Sequence, residues 1–258
     1  MKSTFKIFIA LATGLVTLIG CISDPVIPEN TNNVEIRVFG LVESDPFKMG
    51  QTFTNPMGDE YRVELLKMYL SDMYLFTANG DSAMIKDVAL LDFETSHGEG
   101  GSGSISIYGK VPNGDYNLLK MGLGLNKERN AIKPSEFSQG HPQALLMQTY
   151  WEWLNSYRFI MVDGRVDTIP GAQSYLKPFS YHTGLDTLYR TTTVDLNSLV
   201  IKDNNISTAF IKFDLNRVFG NGAQPMDLKT EGSYHGESDL KIGIKVSDNF
   251  SESFTRLN

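Results

Sequence analysis

The chain has 258 residues, one cysteine and a formal net charge of −7 at pH 7. A surface with excess carboxylates repels nucleic acid, and no basic stripe offsets it, so nucleic-acid binding is disfavoured. A single cysteine excludes a disulfide framework within the chain and any zinc or haem site built on several cysteines.

The N-terminus has the pattern of a bacterial lipoprotein signal peptide. Lys2 and Lys6 give it a positive end, and the apolar segment that follows them is too short to span a bilayer. A small residue then precedes Cys21. We therefore interpret residues 1–20 as a signal peptide and the Cys21 thiol as the site of lipidation.

The segment 21–33 follows as a lipidated, flexible tether, because it is rich in proline, asparagine and acidic residues. Several acyl chains on Cys21 would anchor the protein stably without a transmembrane helix. Ile22 is not an inner-membrane retention residue, which favours the outer membrane. We expect an extracytoplasmic protein on the periplasmic face of that membrane or at the cell surface.

From Val34 onward, short apolar or alternating segments are separated by turn signals such as Asn-Gly-Asp and Asp-Gly. The predicted strands span 34–42, 63–76, 88–93, 104–110, 116–125, 157–162, 188–196, 208–215 and 240–246. A turn of helix is predicted at 216–219, and a short C-terminal helix from Ser247 through Phe254. The pattern predicts an all-β fold, an antiparallel β-sandwich of Ig-like or jelly-roll type, in a single domain over 34–258.

Both tryptophans of the chain lie in the segment 151–159. If this segment is extended, Trp151, Trp153, Tyr157 and Phe159 share one face, because side chains alternate along a strand. Two interpretations are open: a core strand, or an aromatic site beside a metal or ligand.

Two histidines are candidate metal ligands. His182 and His235 each follow a tyrosine near a predicted strand end, where side chains from different strands converge. Neutral imidazole is a common ligand for copper and zinc. His97 and His141 lie in loops rich in glycine or proline and are weaker candidates. No hydrolase, phosphate-binding or haem-attachment motif is present, so an enzyme is the least favoured class.

Five segments in chain order resemble elements of the MbnP-like family of copper-associated extracytoplasmic proteins. They are Leu66-Lys-Met-Tyr-Leu-Ser-Asp-Met-Tyr-Leu75, Leu118-Leu-Lys-Met-Gly-Leu-Gly-Leu-Asn126 with Asn130, Trp151-Glu-Trp-Leu-Asn-Ser-Tyr-Arg-Phe159, Phe179-Ser-Tyr-His-Thr-Gly184, and Val246-Ser-Asp-Asn-Phe250 with Phe254. They occur in this order across roughly residues 34–254. In the third segment, Ser156 stands where the family usually has glycine.

The resemblance implies a secreted or lipid-anchored β-sandwich that binds copper. It also implies a partner, a di-haem cytochrome c peroxidase-like protein that oxidises a tryptophan to kynurenine. His182 matches the family's Phe-x-x-His-x-Gly motif, and His235 lies upstream of the closing helix, so these two are the implied ligands. Trp151 and Trp153 are both candidates for the oxidised residue.

Two other functions remain open. The first is a non-catalytic glycan- or peptide-binding surface lipoprotein of an outer-membrane uptake system, in which an exposed Trp151 or Trp153 would stack on the ligand. The second is a structural or adhesive surface subunit, suggested by the β-rich pattern and the lack of catalytic motifs.

Overall fold

The computed structural model describes residues 32–93, 103–202, 205–220, 224–237 and 239–257. The predicted signal peptide, the lipidation site Cys21, nearly all of the tether and His97 lie outside the described residues. From Asn32 onward the chain forms one compact unit. Across the described ranges, no helix has the length and apolarity needed to cross a bilayer.

The elements follow the chain as a series of short strands with few helices. The strands are β1 (Val34–Val42), β2 (Asp45–Pro46), β3 (Phe53–Thr54), β4 (Glu60–Thr77), β5 (Ser82–Asp92), β6 (Ser104–Gly109), β7 (Gly114–Leu123), β8 (Tyr150–Trp151), β9 (Ser156–Tyr157), β10 (Ile160–Val166), β11 (Lys177–Thr183), β12 (Arg190–Ile201), β13 (Ser207–Asp214), β14 (Ser233–His235) and β15 (Phe254–Arg256). The α-helices are α1 (Lys127–Asn130), α2 (Leu215–Val218) and α3 (Leu240–Ser251).

The described strands form two larger open sheets. One has the order β15–β13–β1–β2, with β6 also paired to β1; the other has the order β12–β7–β4–β10–β11–β14, with β3 and β5 also paired to β4. One hydrophobic cluster contains buried side chains from both sheets. The predicted β-sandwich with a short C-terminal helix is confirmed. Most pairings are antiparallel, but β1–β13 and β11–β14 are parallel.

The prediction of a strand over 240–246 is wrong, because this segment is the first half of α3. Alternating isoleucines suggested a strand, yet Ile244 is 38% exposed. The buried positions are Gly243, Val246, Ser247, Asn249 and Phe250, and they recur at helical spacing. The Asp239 side chain accepts a hydrogen bond from the Lys241 amide and caps the helix. The helix therefore begins before Ser247, and it ends at Ser251 rather than Phe254.

Candidate functional site

Two Ser-Tyr-His triplets lie side by side in the larger sheet. The parallel strands β11 and β14 pair in register, with Tyr181 opposite Tyr234 and His182 opposite His235. Both tyrosines are fully buried. Because side chains alternate along a strand, the two histidines extend from the opposite face. Their imidazole rings stack with centroids 4.6 Å apart and planes inclined by 11°.

A carboxylate and a hydroxyl join the Nε2 atoms of the two histidines. The antiparallel strand β10 places Asp163 opposite Ser180, two residues before His182. The Nε2 of His182 lies 2.9 Å from Asp163 Oδ1, although no hydrogen bond of standard geometry satisfies this buried nitrogen. Ser180 donates its hydroxyl proton to Asp163, and its Oγ lies 2.7 Å from His235 Nε2. Since Ser180 has only one proton to give, His235 Nε2 donates to it.

The charge states of this cluster follow from burial and contacts. Burial acts to raise the pKa of Asp163, but the contact with His182 and the hydrogen bond from Ser180 outweigh it, so the pKa lies below its usual value. Partial desolvation lowers the pKa of His235, and the proximity of His182 lowers it further, against the opposing effect of Asp163. At neutral pH this leaves an ionised carboxylate and a neutral His235 imidazole, the form that binds metals.

The two tryptophans lie on a tight hairpin rather than along one strand. Strands β8 and β9 pair with each other, and the residues between them form a turn. Asn155, with φ of 49°, closes this turn in the left-handed region that asparagine tolerates. Trp151 is only 9% exposed, whereas Trp153 at the turn is 63% exposed. The prediction that four aromatic side chains share one face is therefore wrong.

The hairpin packs against the chain just after each histidine. The Trp151 ring centroid lies 6.4 Å from that of His182 and 5.8 Å from that of Trp153. A Cβ added at Gly184 would come within 2.7 Å of Trp151, and one added at Gly236 within 2.8 Å of Trp153. Glycine at both positions is thus what allows the indoles to approach the histidine strands.

Asn130 holds the hairpin at this place. Its amide donates to Ser156 Oγ at 3.0 Å and to Asp186 Oδ1 at 2.8 Å, and its carbonyl accepts from the Tyr157 amide at 2.9 Å. Ser156 in turn donates to the Gly184 carbonyl. Ser156 therefore connects the hairpin to the segment that follows His182.

Arg158 brings a half-buried positive charge to the inner indole. Its guanidinium carbon lies 5.8 Å from the centre of the Trp151 ring, and it donates to the Gln148 carbonyl. Burial lowers the pKa of Arg158, while Asp163 opposes that effect. A cation over an indole face is attracted by the ring electrons. The two indoles therefore differ in charge environment as well as in exposure.

The candidate donors at this site are two imidazoles and one carboxylate, those of His182, His235 and Asp163. His182 presents a buried nitrogen without a well-formed hydrogen bond, and His235 stacks on it. Over the residues that the structure describes, no group of three or more histidine, cysteine, aspartate or glutamate side chains is arranged to hold a metal ion. His141 is separate from the pair and stacks on Phe137 with centroids 4.1 Å apart.

Sequence reasoning singled out both histidines but missed the residues that connect them. In the sequence, Asp163 is simply the first residue of an Asp-Gly turn signal, and Ser180 stands out only as part of a triplet. The signal that was available is the repeated Ser-Tyr-His triplet at 180–182 and 233–235. Two short β-segments with the same pattern of one buried aromatic between polar residues are suited to pair in register.

This architecture defines an open, mixed β-sandwich with a stacked histidine pair next to a tryptophan hairpin. The chain belongs to the MbnP family, whose family model matches residues 31–237. Among solved structures it is similar to MbnP from Methylosinus trichosporium, with 16% sequence identity and a TM-score of 0.50 over 72% of this chain and 76% of that chain. No curated protein sequence matches the chain.

Proposed function

We propose that this protein binds copper through His182 and His235 and is not itself an enzyme. The observation that carries the proposal is the in-register pairing that stacks the two rings 4.6 Å apart. Imidazole nitrogen with carboxylate oxygen is a donor set that copper accepts. Asp163 would orient His182 through its Nε2 contact or compete with the ion for that nitrogen.

The proposal includes a di-haem cytochrome c peroxidase-like partner that oxidises one of the two tryptophans. Membership of the family supports it, together with the proximity of both indoles to the histidine pair. Conversion of an indole to kynurenine with hydrogen peroxide consumes two peroxide molecules and releases formate and water. Trp153 is accessible to a docked protein, whereas Trp151 is closer to His182 and lies beneath the Arg158 cation.

The proposal also includes secretion and a lipid anchor on Cys21. The residue pattern at the N-terminus supports this, because a positive end, a short apolar segment and a small residue precede the cysteine. Metabolic labelling with a radioactive fatty acid tests it. We expect label in the wild-type chain and none in Cys21→Ala. The variant should also be absent from the membrane fraction.

Titration of the purified mature protein with Cu(I) and with Cu(II) tests metal binding. We expect the wild type and His141→Ala to bind copper equally, because His141 stacks on Phe137 away from the pair. His182→Ala and His235→Ala should each weaken binding, and the double variant should lose it. Copper binding that survives in the folded double variant removes the proposal.

Mass spectrometry of the protein from its native host tests the oxidation. The peptide containing Trp151 and Trp153 should carry a modified indole that is absent when the partner gene is deleted. Trp151→Phe and Trp153→Phe then identify the modified residue. An unmodified peptide in the presence of the partner contradicts this part of the proposal while leaving copper binding intact.

The second candidate function is a glycan- or peptide-binding surface lipoprotein. The 63% exposure of Trp153 favours it, because an exposed indole offers a flat apolar face to a ligand. Quenching of Trp153 fluorescence by glycans but not by copper would favour this function over the first.

A further inference from the structure

A recess lies on the larger sheet, apart from the histidine pair. It has a volume of about 400 Å³ and crosses strands β5, β4, β7 and β12. Leu75 and Leu119 are buried in the core, so the neighbouring Tyr74, Phe76 and Lys120 extend from the opposite face. The recess is therefore part of the outer surface of the sandwich, and its volume is within the range of small-ligand sites.

An irregularity in β4 places a carboxylate at one end of this recess. Asp72 has φ of 48°, and the pairing of β4 with β7 shifts register between Ser71 and Tyr74. Asp72 Oδ2 accepts hydrogen bonds from the Asn126 amide at 2.9 Å and the Tyr189 hydroxyl at 3.1 Å. Neither of these bonds uses Oδ1. The carboxylate is therefore held in place by bonds that leave one oxygen available for a ligand.

The floor of the recess depends on a glycine. A Cβ added at Gly122 would lie 2.2 Å from the Tyr189 hydroxyl oxygen. Any larger residue there would displace Tyr189 and its bond to Asp72. Burial raises the pKa of Tyr189 to about 12, so the phenol stays protonated as a donor. The recess is thus built from fixed groups before any ligand arrives.

The walls combine two aromatic rings with charges of both signs. The Tyr74 and Phe76 rings have centroids 6.5 Å apart and are inclined by 47°. Lys120 pairs with Tyr74 across the strands, and Ser82 and Thr191 add hydroxyls to the lining. Lys120 disfavours a cationic ligand, and Asp72 disfavours an anionic one. A neutral polyol with an apolar ring face can contact the aromatic rings and can hydrogen-bond both charged groups and the hydroxyls.

The geometry points to a binding site for a neutral pyranose sugar in this recess. One face of the sugar stacks its C–H groups on Tyr74 and Phe76. Its hydroxyls donate to Asp72 Oδ1 and accept from Lys120. No bond is formed or broken in the sugar. This site does not depend on copper, on Trp153 or on the haem partner.

Saturation-transfer NMR and calorimetry with methyl glycosides of glucose, galactose, mannose and N-acetylglucosamine test the assignment. We expect millimolar binding of at least one glycoside to the wild-type mature protein. Phe76→Ala and Asp72→Asn should each weaken it by about tenfold, because the first removes ring stacking and the second a charge-assisted hydrogen bond. Asp72→Asn keeps a hydrogen-bond acceptor for Asn126 and Tyr189, so we expect this variant to stay folded.

Trp153→Ala and the double variant His182→Ala, His235→Ala are the matched controls and should bind the sugar as the wild type does. Failure of every glycoside to bind overturns the inference. So does binding that Trp153→Ala abolishes while Phe76→Ala leaves it unchanged, because the sugar would then occupy the hairpin. Free glycine, a zwitterion that also suits Asp72 and Lys120, completes the panel. Binding of glycine that depends on these two residues, without binding of any glycoside, replaces the sugar by an amino acid.

Discussion

His182 and His235 are direct partners across two parallel strands, although 53 positions separate them in the chain. Register places their rings face to face, and Ser180 and Asp163 connect their Nε2 atoms. The two rings nonetheless differ in burial, because His182 is 8% exposed and His235 belongs to the exposed class. Because of this difference in burial, we expect the two histidines to contribute unequally to the free energy of unfolding.

Removal of the two imidazoles should therefore affect folding unequally. His182→Ala is expected to lower the free energy of unfolding by about 1–3 kcal/mol, because it leaves a cavity and a carboxylate without its partner. His235→Ala should change it by no more than about 0.5 kcal/mol. Urea unfolding followed by circular dichroism measures both. Equal losses for the two variants would show that His235 is as deeply packed as His182.

The chain has two tryptophans, so substitution of either one leaves a single indole whose fluorescence reports its exposure to solvent. Trp151→Phe leaves the exposed Trp153, whose emission we expect at long wavelength with strong quenching by acrylamide. Trp153→Phe leaves Trp151, which should emit at shorter wavelength and be largely protected. In urea both variants should be quenched alike, which is the control. Equal protection in the folded state would contradict the hairpin geometry.

The smaller sheet contains a buried acid that should control stability in acid. Burial acts to raise the pKa of Glu35, but hydrogen bonds from Ser106, Arg37 and Thr208 outweigh it and hold the pKa below its usual value. Since the folded value is the lower one, the stabilisation is complete above the ordinary pKa and is lost as the pH falls through the folded value.

Glu35→Gln should remove this pH dependence and lower the free energy of unfolding at neutral pH by about 1.5–3 kcal/mol, because the charged acceptor is lost. Thermal unfolding between pH 3 and pH 7, roughly the range over which carboxylates titrate, measures both effects. Glu64→Gln, which breaks the exposed pair with Arg165, is the control and should leave the profile unchanged. A profile for Glu35→Gln that is as steep as that of the wild type would refute the assignment.

Helix α3 packs its glycine directly on the tyrosine that precedes His235. A Cβ at Gly243 would lie 2.4 Å from the Tyr234 ring. On an exposed helix, Gly→Ala stabilises by about 1 kcal/mol. Here we expect Gly243→Ala to destabilise by about 1–3 kcal/mol, because the overpacked ring must move. Lys241→Ala, at an exposed position of α3, is the control. A gain in melting temperature for Gly243→Ala would show that the helix is free to shift.

The sequence predicted strands better than it predicted the segments near the site. Strand β1 has the predicted bounds, because Val34, Ile36 and Val38 recur at the two-residue spacing of a strand and are all fully buried. The segment 240–246 misled because Ile242 and Val246 fit an alternating strand and a helical turn equally well. Only the cap at Asp239 and the small Gly243, which allows close packing on Tyr234, distinguish the helix, and the second depends on a tertiary contact.

The histidine pair was predictable as residue types but not as a geometry. Both histidines follow a tyrosine, which singled them out, yet nothing local specifies that β14 lies beside β11 in parallel. That pairing depends on the long segment between them and on the packing of Tyr234 under α3. The exposure of Trp153 was equally hidden, since a turn at Asn155 replaces the continuous strand that the aromatic alternation suggested.

Strand β14 is three residues long and forms the outermost member of its sheet. An edge strand is paired on one side only, so among the described strands β14 is joined to its sheet through β11 alone. His235 therefore lies on the edge strand of the sheet, whereas His182 lies on β11, which is paired on both sides. A ligand that bridges the two rings would also tie β14 to β11. It should slow amide hydrogen exchange in β14 more than in the rest of the molecule.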